Sequence, residues 1–293
     1  MNSTQKQSIL FIGIGTHWKI DIWDEISQDI FAYHSDTIQN IVSDFENTYS
    51  RFKEDSLLCK LSNTTGVFNV SEECVELLLL YKKYYVLSSG LCTPLIGQHL
   101  SEAGYDKDYS FKSRDLSPLP NFTDAIRIFD DNHIEITISV MIDFGGLGKG
   151  YLVDKVSDYL KVQKVKKFCV NAGGDMYYAT DDEEMLRVGL EHPQDATKVI
   201  GVVEIRNESI CGSSGNRRNW GSFHHIINPA IKESPHNIFA TWVRAKKTVD
   251  ADALNKCLYL GVAIPDDIEC EYLVFDKQKG ILTSKNFTGE VYE

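Results

Sequence analysis

Four glycines lie within six residues of the segment DFGGLGKGYLVD, which spans residues 143–154. Before this segment, apolar residues alternate with mostly polar ones from Ile134 to Ile142, a pattern typical of a β-strand. After the glycines, apolar residues recur at helical spacing from Leu152 to Leu160. The sequence therefore predicts a strand that runs into a glycine turn and continues as a helix.

A turn of this kind suits a bound phosphate group. Glycine lets backbone N–H groups approach a ligand closely, and both the helix N-terminus and Lys149 contribute positive charge. The spacing differs from that of a Walker A loop, because Asp143 stands five residues before Gly148 and Gly150 takes the Ser/Thr position. A tight strand-to-helix turn that holds no ligand is the alternative interpretation.

Composition and charge narrow the class of protein. A net charge of −12 argues against general binding to nucleic acids or anionic membranes. The seven cysteines are scattered without a C-x-x-C pair, which predicts neither a disulfide framework nor a zinc site and favours a reducing compartment. The apolar run ILFIGIG at residues 9–15 is too short to span a membrane, and no signal peptide or lipid-accepting cysteine is visible. We expect a cytoplasmic protein without a membrane span.

The periodicity of apolar residues predicts both helices and strands. Helices are expected over residues 35–52, 71–90 and 249–261. Besides the strand before the glycines, strands are expected near residues 9–24, 167–180, 185–190, 199–205 and 239–245. Many of them are close enough in sequence to pair antiparallel. The predicted fold class is therefore α+β, a mostly antiparallel sheet packed with helices, in one domain over residues 1–293, with two lobes as an alternative.

Three further segments are candidate ligand loops. NAGGDMYY, residues 171–178, is a second glycine turn, which also fits a plain hairpin. Residues 211–225 combine serines, arginines and two histidines, a mixture that suits pyrophosphate binding and a general base, although a histidine pair on a strand surface is the plainer interpretation. Asp252 and Lys256 share one helix face, either as an exposed ion pair or with Asp252 as a metal-binding carboxylate.

Taken in order, these segments resemble the ApbE-like FAD:protein FMN transferases. The resemblance spans nearly the whole chain, and the glycine segment at residues 143–154 is its most specific part. The other matching segments are IGT (14–16), RFKEDSLLCKLSN (51–63), NAGGD (171–175), SSGN (213–216), HIINP (225–229) and ADALNK (251–256).

The resemblance implies a reaction and a set of roles. Members of that family bind FAD and Mg²⁺, join FMN to a threonine hydroxyl of an acceptor protein and release AMP. It implies that His225 is the base and that Asp252 is catalytic and binds the metal together with the backbone carbonyl of Gly148. It implies that the FAD site is formed by Thr16, Asp143, Gly145, Gly146, Lys149, Asn171, Gly173, Gly174, Asp175, Ser214 and Gly215.

The chain departs from the family pattern chiefly on the metal side. Lys256 replaces a threonine four residues after Asp252, which brings a positive charge to a cation site and removes an oxygen ligand. Asn228 replaces an acid, TPLIG at residues 93–97 stands for a D-P-T-V-G motif, and Ile14 replaces a methionine. The alternatives to an active transferase are an FAD pyrophosphatase, a non-catalytic relative that senses, stores or delivers FAD, and an unrelated nucleotide-binding protein.

Overall fold

The computed structural model describes residues 6–292, apart from the side chain of Arg217. Within that range the chain forms seven α-helices: α1 (Gln28–Tyr49), α2 (Leu57–Leu61), α3 (Glu72–Leu87), α4 (Gly97–Glu102), α5 (Phe122–Ala125), α6 (Gly148–Val162) and α7 (Thr248–Tyr259). Two 3₁₀ turns occupy Pro94–Ile96 and Gly215–Arg217. No helix of the described range is long and apolar enough to cross a membrane.

The same range contains sixteen strands. They are β1 (Gln7–Gly13), β2 (Thr16–Ile22), β3 (Gly66–Asn69), β4 (Ile126–Ile128), β5 (His133–Ile136), β6 (Phe168–Ala172), β7 (Asp175–Ala179), β8 (Leu186–His192), β9 (Asp195–Ile205), β10 (Glu208–Ser214), β11 (Asn219–Trp220), β12 (Phe223–His224), β13 (Ile238–Ala245), β14 (Glu271–Asp276), β15 (Gly280–Thr283) and β16 (Glu290–Val291).

The main sheet has eight strands in the order β1-β2-β6-β7-β10-β13-β14-β15, and every pairing in it is antiparallel. Smaller antiparallel sheets join β16-β9-β8, β3-β5-β4 and β11-β12. The α+β prediction with a mostly antiparallel sheet is therefore confirmed. The single domain over residues 1–293 stays a prediction, and residues 1–5 and 293 lie outside the described range.

Two apolar cores cover opposite faces of the main sheet, because successive strand residues point to opposite sides. Val170 belongs to the large core, which also contains buried residues of α1, α3, α6 and α7. Its neighbour Cys169 belongs to a smaller core with Leu190 and Val203 of β8 and β9. Helices therefore pack on one face of the sheet, and the β8–β9 hairpin packs on the other.

The four helices predicted from the sequence form, and the start of α1 differs from the prediction. Helix α1 begins at Gln28 rather than Ser35, because the Ser27 side chain accepts a hydrogen bond from the Ile30 N–H and caps the helix there. Helix α3 begins directly after Ser71, whose side chain caps the Cys74 N–H. The predicted strand at residues 9–24 is a β1–β2 hairpin with its turn at Ile14 and Gly15.

The strand predicted from Ile134 to Ile142 is wrong beyond Ile136, where β5 ends. The chain continues without strand partners because its N–H groups bond elsewhere. The Ile142 N–H donates to Ser62 Oγ over 3.0 Å, and the Asp143 N–H donates to the Pro94 carbonyl over 2.7 Å. Val140 and Ile142 are still buried in this stretch, but Ile138 is exposed, so the apolar alternation matches burial only in part and no ladder forms.

Candidate active site

The first glycine turn precedes α6 and is held from two sides. The Asp143 carboxylate accepts the Gly145 N–H over 2.7 Å through Oδ1 and the Arg51 Nε–H over 2.8 Å through Oδ2. Arg51 is itself buried, with 4% of its side chain exposed. The Gly146 N–H donates to the hydroxyl of the buried Tyr81 over 3.0 Å. The turn is therefore a fixed support for the N-terminus of α6.

The second glycine turn joins β6 to β7 and lies against the end of β2. Gly173 and Gly174 have φ of 61° and 103°, a region that favours glycine. The Asn171 side chain accepts the Gly174 N–H over 2.9 Å. A Cβ on Gly173 would overlap the Thr16 hydroxyl, so only glycine permits this approach of the two strands. Thr16 and the second turn are thus brought together.

An ion pair connects the two glycine turns. Lys149, in the first turn of α6, pairs with Asp175, which directly follows the second glycine turn and is 1% exposed. The other oxygen of Asp175 accepts the Gly212 N–H of β10 over 3.2 Å. One buried carboxylate therefore ties α6, β7 and β10 to each other.

The end of β10 lines a cleft with the second glycine turn. The cleft has a volume of about 140 Å³, and Gly173, Gly174 and Ser214 contribute to its wall together with residues 188–191 of β8. The Ser214 hydroxyl donates to the Phe239 carbonyl over 3.1 Å. Gly215 follows Ser214 at close range to Tyr259 and His224, so a side chain at that position has no room. The other predicted site residues do not line this cleft.

The second lysine–aspartate pair lies in α7. Asp252 is 1% exposed, and its Oδ1 lies 2.5 Å from Lys256 Nζ. Its Oδ2 accepts the Gly150 N–H of α6 over 2.9 Å. Burial alone lowers the pKa of Lys256, but the charge of Asp252 and its hydrogen bond outweigh this, so the pKa is raised and the ammonium form is retained. The interpretation of this pair as exposed is wrong.

The two histidines have different environments. His224 is buried, its Nε2 lies 2.9 Å from the Pro235 carbonyl, and its Nδ1 accepts the Ile226 N–H, so both nitrogens have structural partners. His225 Nδ1 is buried without a hydrogen-bond partner among the described residues. Burial, followed by the charges of Lys256, His224 and Arg218, lowers the pKa of His225 to about 3. His225 is therefore neutral at physiological pH with a ring nitrogen unused.

Contacts that the sequence did not single out complete the site. Arg218 donates to the Gly15 carbonyl over 2.7 Å and receives the His225 N–H at its own carbonyl over 3.2 Å, which connects the histidine to the β1–β2 turn. Asn255 of α7 lies 3.0 Å from the Ser213 hydroxyl of β10. Gly150 is the sequence signal for the close contact of α6 with α7, because a Cβ at that position would lie 2.7 Å from the Asp252 Cβ.

The residues around Asp252 do not fit a Mg²⁺ ion. Magnesium prefers six oxygen ligands at short, regular distances. Here both oxygens of the carboxylate are engaged, and the neighbouring group is an ammonium instead of a hydroxyl. Residues 6–292 contain no group of three or more His, Cys, Asp or Glu side chains arranged to hold a metal ion.

Comparison with solved structures gives the same fold. The crystal structure of the ApbE protein of Thermotoga maritima superposes with a TM-score of 0.84 at 19% identity and covers 96% of this chain and 97% of its own. The flavin transferase ApbE of Vibrio cholerae superposes with a TM-score of 0.78 at 17% identity, with 96% of both chains covered.

Sequence comparison finds relatives that are FAD:protein FMN transferases. The Klebsiella pneumoniae protein is 33% identical over 93 residues, a match that covers 30% of this chain and only 28% of the relative. The Buchnera aphidicola protein is 21% identical over 87% of this chain and 81% of its own length. The Vibrio cholerae protein is 24% identical over 74% of this chain and 70% of its own. The profile of the ApbE family matches residues 14–263, and the chain belongs to that family.

Proposed function

We propose that this protein is an FAD:protein FMN transferase, which transfers FMN from FAD to a threonine of an acceptor protein and releases AMP. The observation that carries the proposal is the Lys149–Asp175 ion pair, which joins both glycine turns and β10. Family membership and the names of the relatives support the same reaction.

In the proposal, the FAD site uses the residues that these contacts bring together. The positive N-terminus of α6 attracts the pyrophosphate, and Lys149 adds charge. Thr16, Asn171 and Asp175 hold the second turn in shape, Ser214 lines the β10 side, and Gly215 packs against Tyr259 and His224. Asp143 acts on the first turn through the Gly145 N–H rather than on the cleft.

The transfer itself is a phosphoryl substitution. The acceptor hydroxyl oxygen attacks the phosphorus on the FMN side, the bond from that phosphorus to the bridging oxygen breaks, and AMP leaves with the bond's electron pair. The hydroxyl proton passes to His225, whose imidazole is neutral in the folded protein and whose Nδ1 has no hydrogen-bond partner within residues 6–292. Such reactions depend mainly on positioning and charge neutralisation, which fits a site with a rigid helix N-terminus and two ammonium groups.

The resemblance also implied Mg²⁺ bound by Asp252 and the Gly148 carbonyl. The Mg²⁺ site stays a prediction. The proposed transfer uses no metal, because the engaged carboxylate and the adjacent ammonium do not fit one. We further propose a cytoplasmic site of action on the basis of the seven cysteines, all of which carry free thiols.

A second candidate function is FAD binding without transfer, for sensing, storage or delivery. The Lys256–Asp252 pair favours it, since it occupies the position where the family resemblance expects catalytic metal chemistry. The FAD pyrophosphatase activity is the same substitution with water in place of the acceptor hydroxyl.

The test is a set of three measurements on the purified chain. Saturable quenching of FAD fluorescence is expected on titration, and its absence contradicts both candidate functions. With a threonine-bearing acceptor, we expect release of AMP and a fluorescent acceptor; FAD binding without AMP release supports the binding protein instead. AMP release that does not depend on the acceptor indicates a pyrophosphatase.

A histidine variant separates binding from transfer. His225→Asn is expected to lower the rate of AMP release by about 10²- to 10⁴-fold, the usual contribution of a general base, with FAD affinity nearly unchanged. His133→Asn is the matched control, because that histidine is exposed on β5 and pairs with Asp130. Equal rates for both variants would remove His225 from the mechanism.

A further inference from the structure

An ammonium group lies buried where the family resemblance places a divalent cation. Lys256 Nζ is 2.5 Å from Asp252 Oδ1, and 17% of the lysine side chain is exposed. The second carboxylate oxygen of Asp252 accepts the Gly150 N–H. The single carboxylate that the resemblance assigns to a metal therefore already has partners at both oxygens.

A Mg²⁺ ion at Asp252 would have to displace the lysine. It would lie beside a like charge, and it would lose the hydroxyl oxygen that a threonine at position 256 would offer. In the part of the chain that the structure describes, no other cluster of acids, histidines or cysteines replaces the missing ligands. The residues present and the implied metal thus disagree.

The ammonium has binding capacity left. A lysine ammonium carries three N–H donors, and Asp252 is the one hydrogen-bond acceptor of Lys256 within residues 6–292. The ion pair holds the flexible lysine in one position, and the positive charge acts on His225, the base in the proposed function. Across α7, Asn255 contacts Ser213 at the end of β10, beside the cleft.

We propose that Lys256 is the resident cation of this site: its ammonium binds the pyrophosphate of FAD in the place of a divalent metal ion, so FAD binding needs no metal. The inference rests on the proposed function, because it takes FAD as the ligand. Hydrogen bonds between an ammonium and a phosphate oxygen are charge-assisted and short, and lysine serves as a point charge for phosphates in other folds.

The first test is a titration of the wild-type chain with FAD in excess EDTA and in excess Mg²⁺, followed by fluorescence quenching. The inference predicts equal dissociation constants in the two buffers. An affinity that falls about tenfold or more in EDTA overturns the resident cation while the proposed function stands. Absence of binding in both buffers overturns the proposed function and this inference with it.

The second test uses three substitutions of the lysine. In EDTA, Lys256→Thr and Lys256→Met are expected to bind FAD about 10- to 100-fold more weakly, the equivalent of one charge-assisted hydrogen bond. Mg²⁺ should restore binding to the threonine variant, which regains an oxygen ligand, and not to the methionine variant. Lys256→Arg keeps the charge and should remain insensitive to EDTA.

Thermal unfolding of each variant checks that a loss of affinity is not a loss of fold. Wild-type affinity in EDTA for both the threonine and the methionine variants would overturn the inference. Should these variants not fold, the comparison of EDTA and Mg²⁺ on the wild-type chain decides the question alone.

Discussion

Two lysine–aspartate pairs, each with a buried aspartate, contact consecutive residues of α6. Lys149 of α6 pairs with Asp175, while the backbone N–H of the next residue, Gly150, donates to Asp252, the partner of Lys256. Both aspartates are 1% exposed. Each uses its remaining oxygen for a backbone N–H, so each fastens two or more elements around the first turn of α6.

The pairs differ in where the lysine comes from. Lys149 reaches from a helix to a strand, and 27% of its side chain is exposed. Lys256 lies one helical turn after its own aspartate and is 17% exposed. The first pair joins residues far apart in sequence, and both of its residues follow the family pattern. In the second pair, Lys256 stands four residues after Asp252, where the family pattern has a threonine. In the proposed function, the first pair belongs to the FAD site and the second stands in the place of the metal.

The largest expected effect comes from removing an aspartate. Asp252→Ala leaves the Lys256 ammonium buried without its partner and the Gly150 N–H without an acceptor, so we expect a loss of about 3–5 kcal/mol in the free energy of unfolding. Asp175→Ala should cost less, about 1–3 kcal/mol, because the more exposed Lys149 can turn to water. Urea unfolding measures both.

The comparison fails if Asp175→Ala proves the more damaging of the two. A second check is the double variant Asp252→Ala/Lys256→Ala, which removes the unpaired charge. It should recover part of the stability lost in the single variant, in contrast to two independent substitutions.

A glycine substitution tests the contact between α6 and α7. A Cβ at Gly150 would lie 2.5 Å from the Thr248 carbonyl oxygen and 2.7 Å from the Asp252 Cβ. Gly150→Ala should therefore push the helices apart and cost about 1–3 kcal/mol, the range for an overpacked core. Thermal unfolding measures it; a stability equal to that of the wild type would mean that the helices separate freely.

The sequence could predict the segments that form the site but not how deeply their side chains are buried. The presence of most strands follows from alternating apolar residues, and the glycine turns are visible as local motifs. Helical spacing placed Asp252 and Lys256 on one face, yet it carried no sign that α6 covers that face. Helix α6 can lie against this face because Gly150 has no side chain. The hydrogen bond from the Gly150 N–H joins it to Asp252, 102 positions later in the chain.

The wrong strand and the late helix start have a similar origin. Burial of Val140 and Ile142 produces a strand-like pattern, but the hydrogen-bond partners are Ser62 and Pro94 of distant segments. Ser27 has an extended conformation directly before the helix and caps α1. The Ser-Asp pair at positions 35–36 resembles a cap but lies inside the helix. The local pattern therefore predicts which residues are buried better than it predicts their hydrogen-bond partners.

Stability should fall on acidification because of His225. Its pKa in the folded protein is about 3, below the ordinary value of 6.5, owing first to burial and then to the charge of Lys256. The unfolded chain therefore binds the proton first, and the stabilisation present above pH 6.5 is lost as pH falls toward 3. Between about pH 7 and about pH 5.5 we expect a loss of about 1 kcal/mol, measurable by urea unfolding.

Lys256→Met separates the two causes of that shift. With the ammonium gone, the pKa of His225 should rise toward its ordinary value without reaching it, since burial remains. NMR titration of the imidazole signals reports the pKa directly. An unchanged pKa in the variant would place Lys256 too far from His225 to matter, which would also weaken its assignment to the same site.

The smallest effect is expected where a pair is not buried. Arg127 and Glu135 stand opposite each other on β4 and β5 at 3.2 Å, with 60% and 30% of their side chains exposed. Water screens such a pair, so Arg127→Thr should change the free energy of unfolding by less than about 1 kcal/mol. Raising the salt concentration should make wild type and variant more alike. A loss of unfolding free energy equal to that of Asp175→Ala would show that burial does not determine the strength of the two lysine–aspartate pairs. Cross-strand geometry would then account for the strength of the Arg127–Glu135 pair.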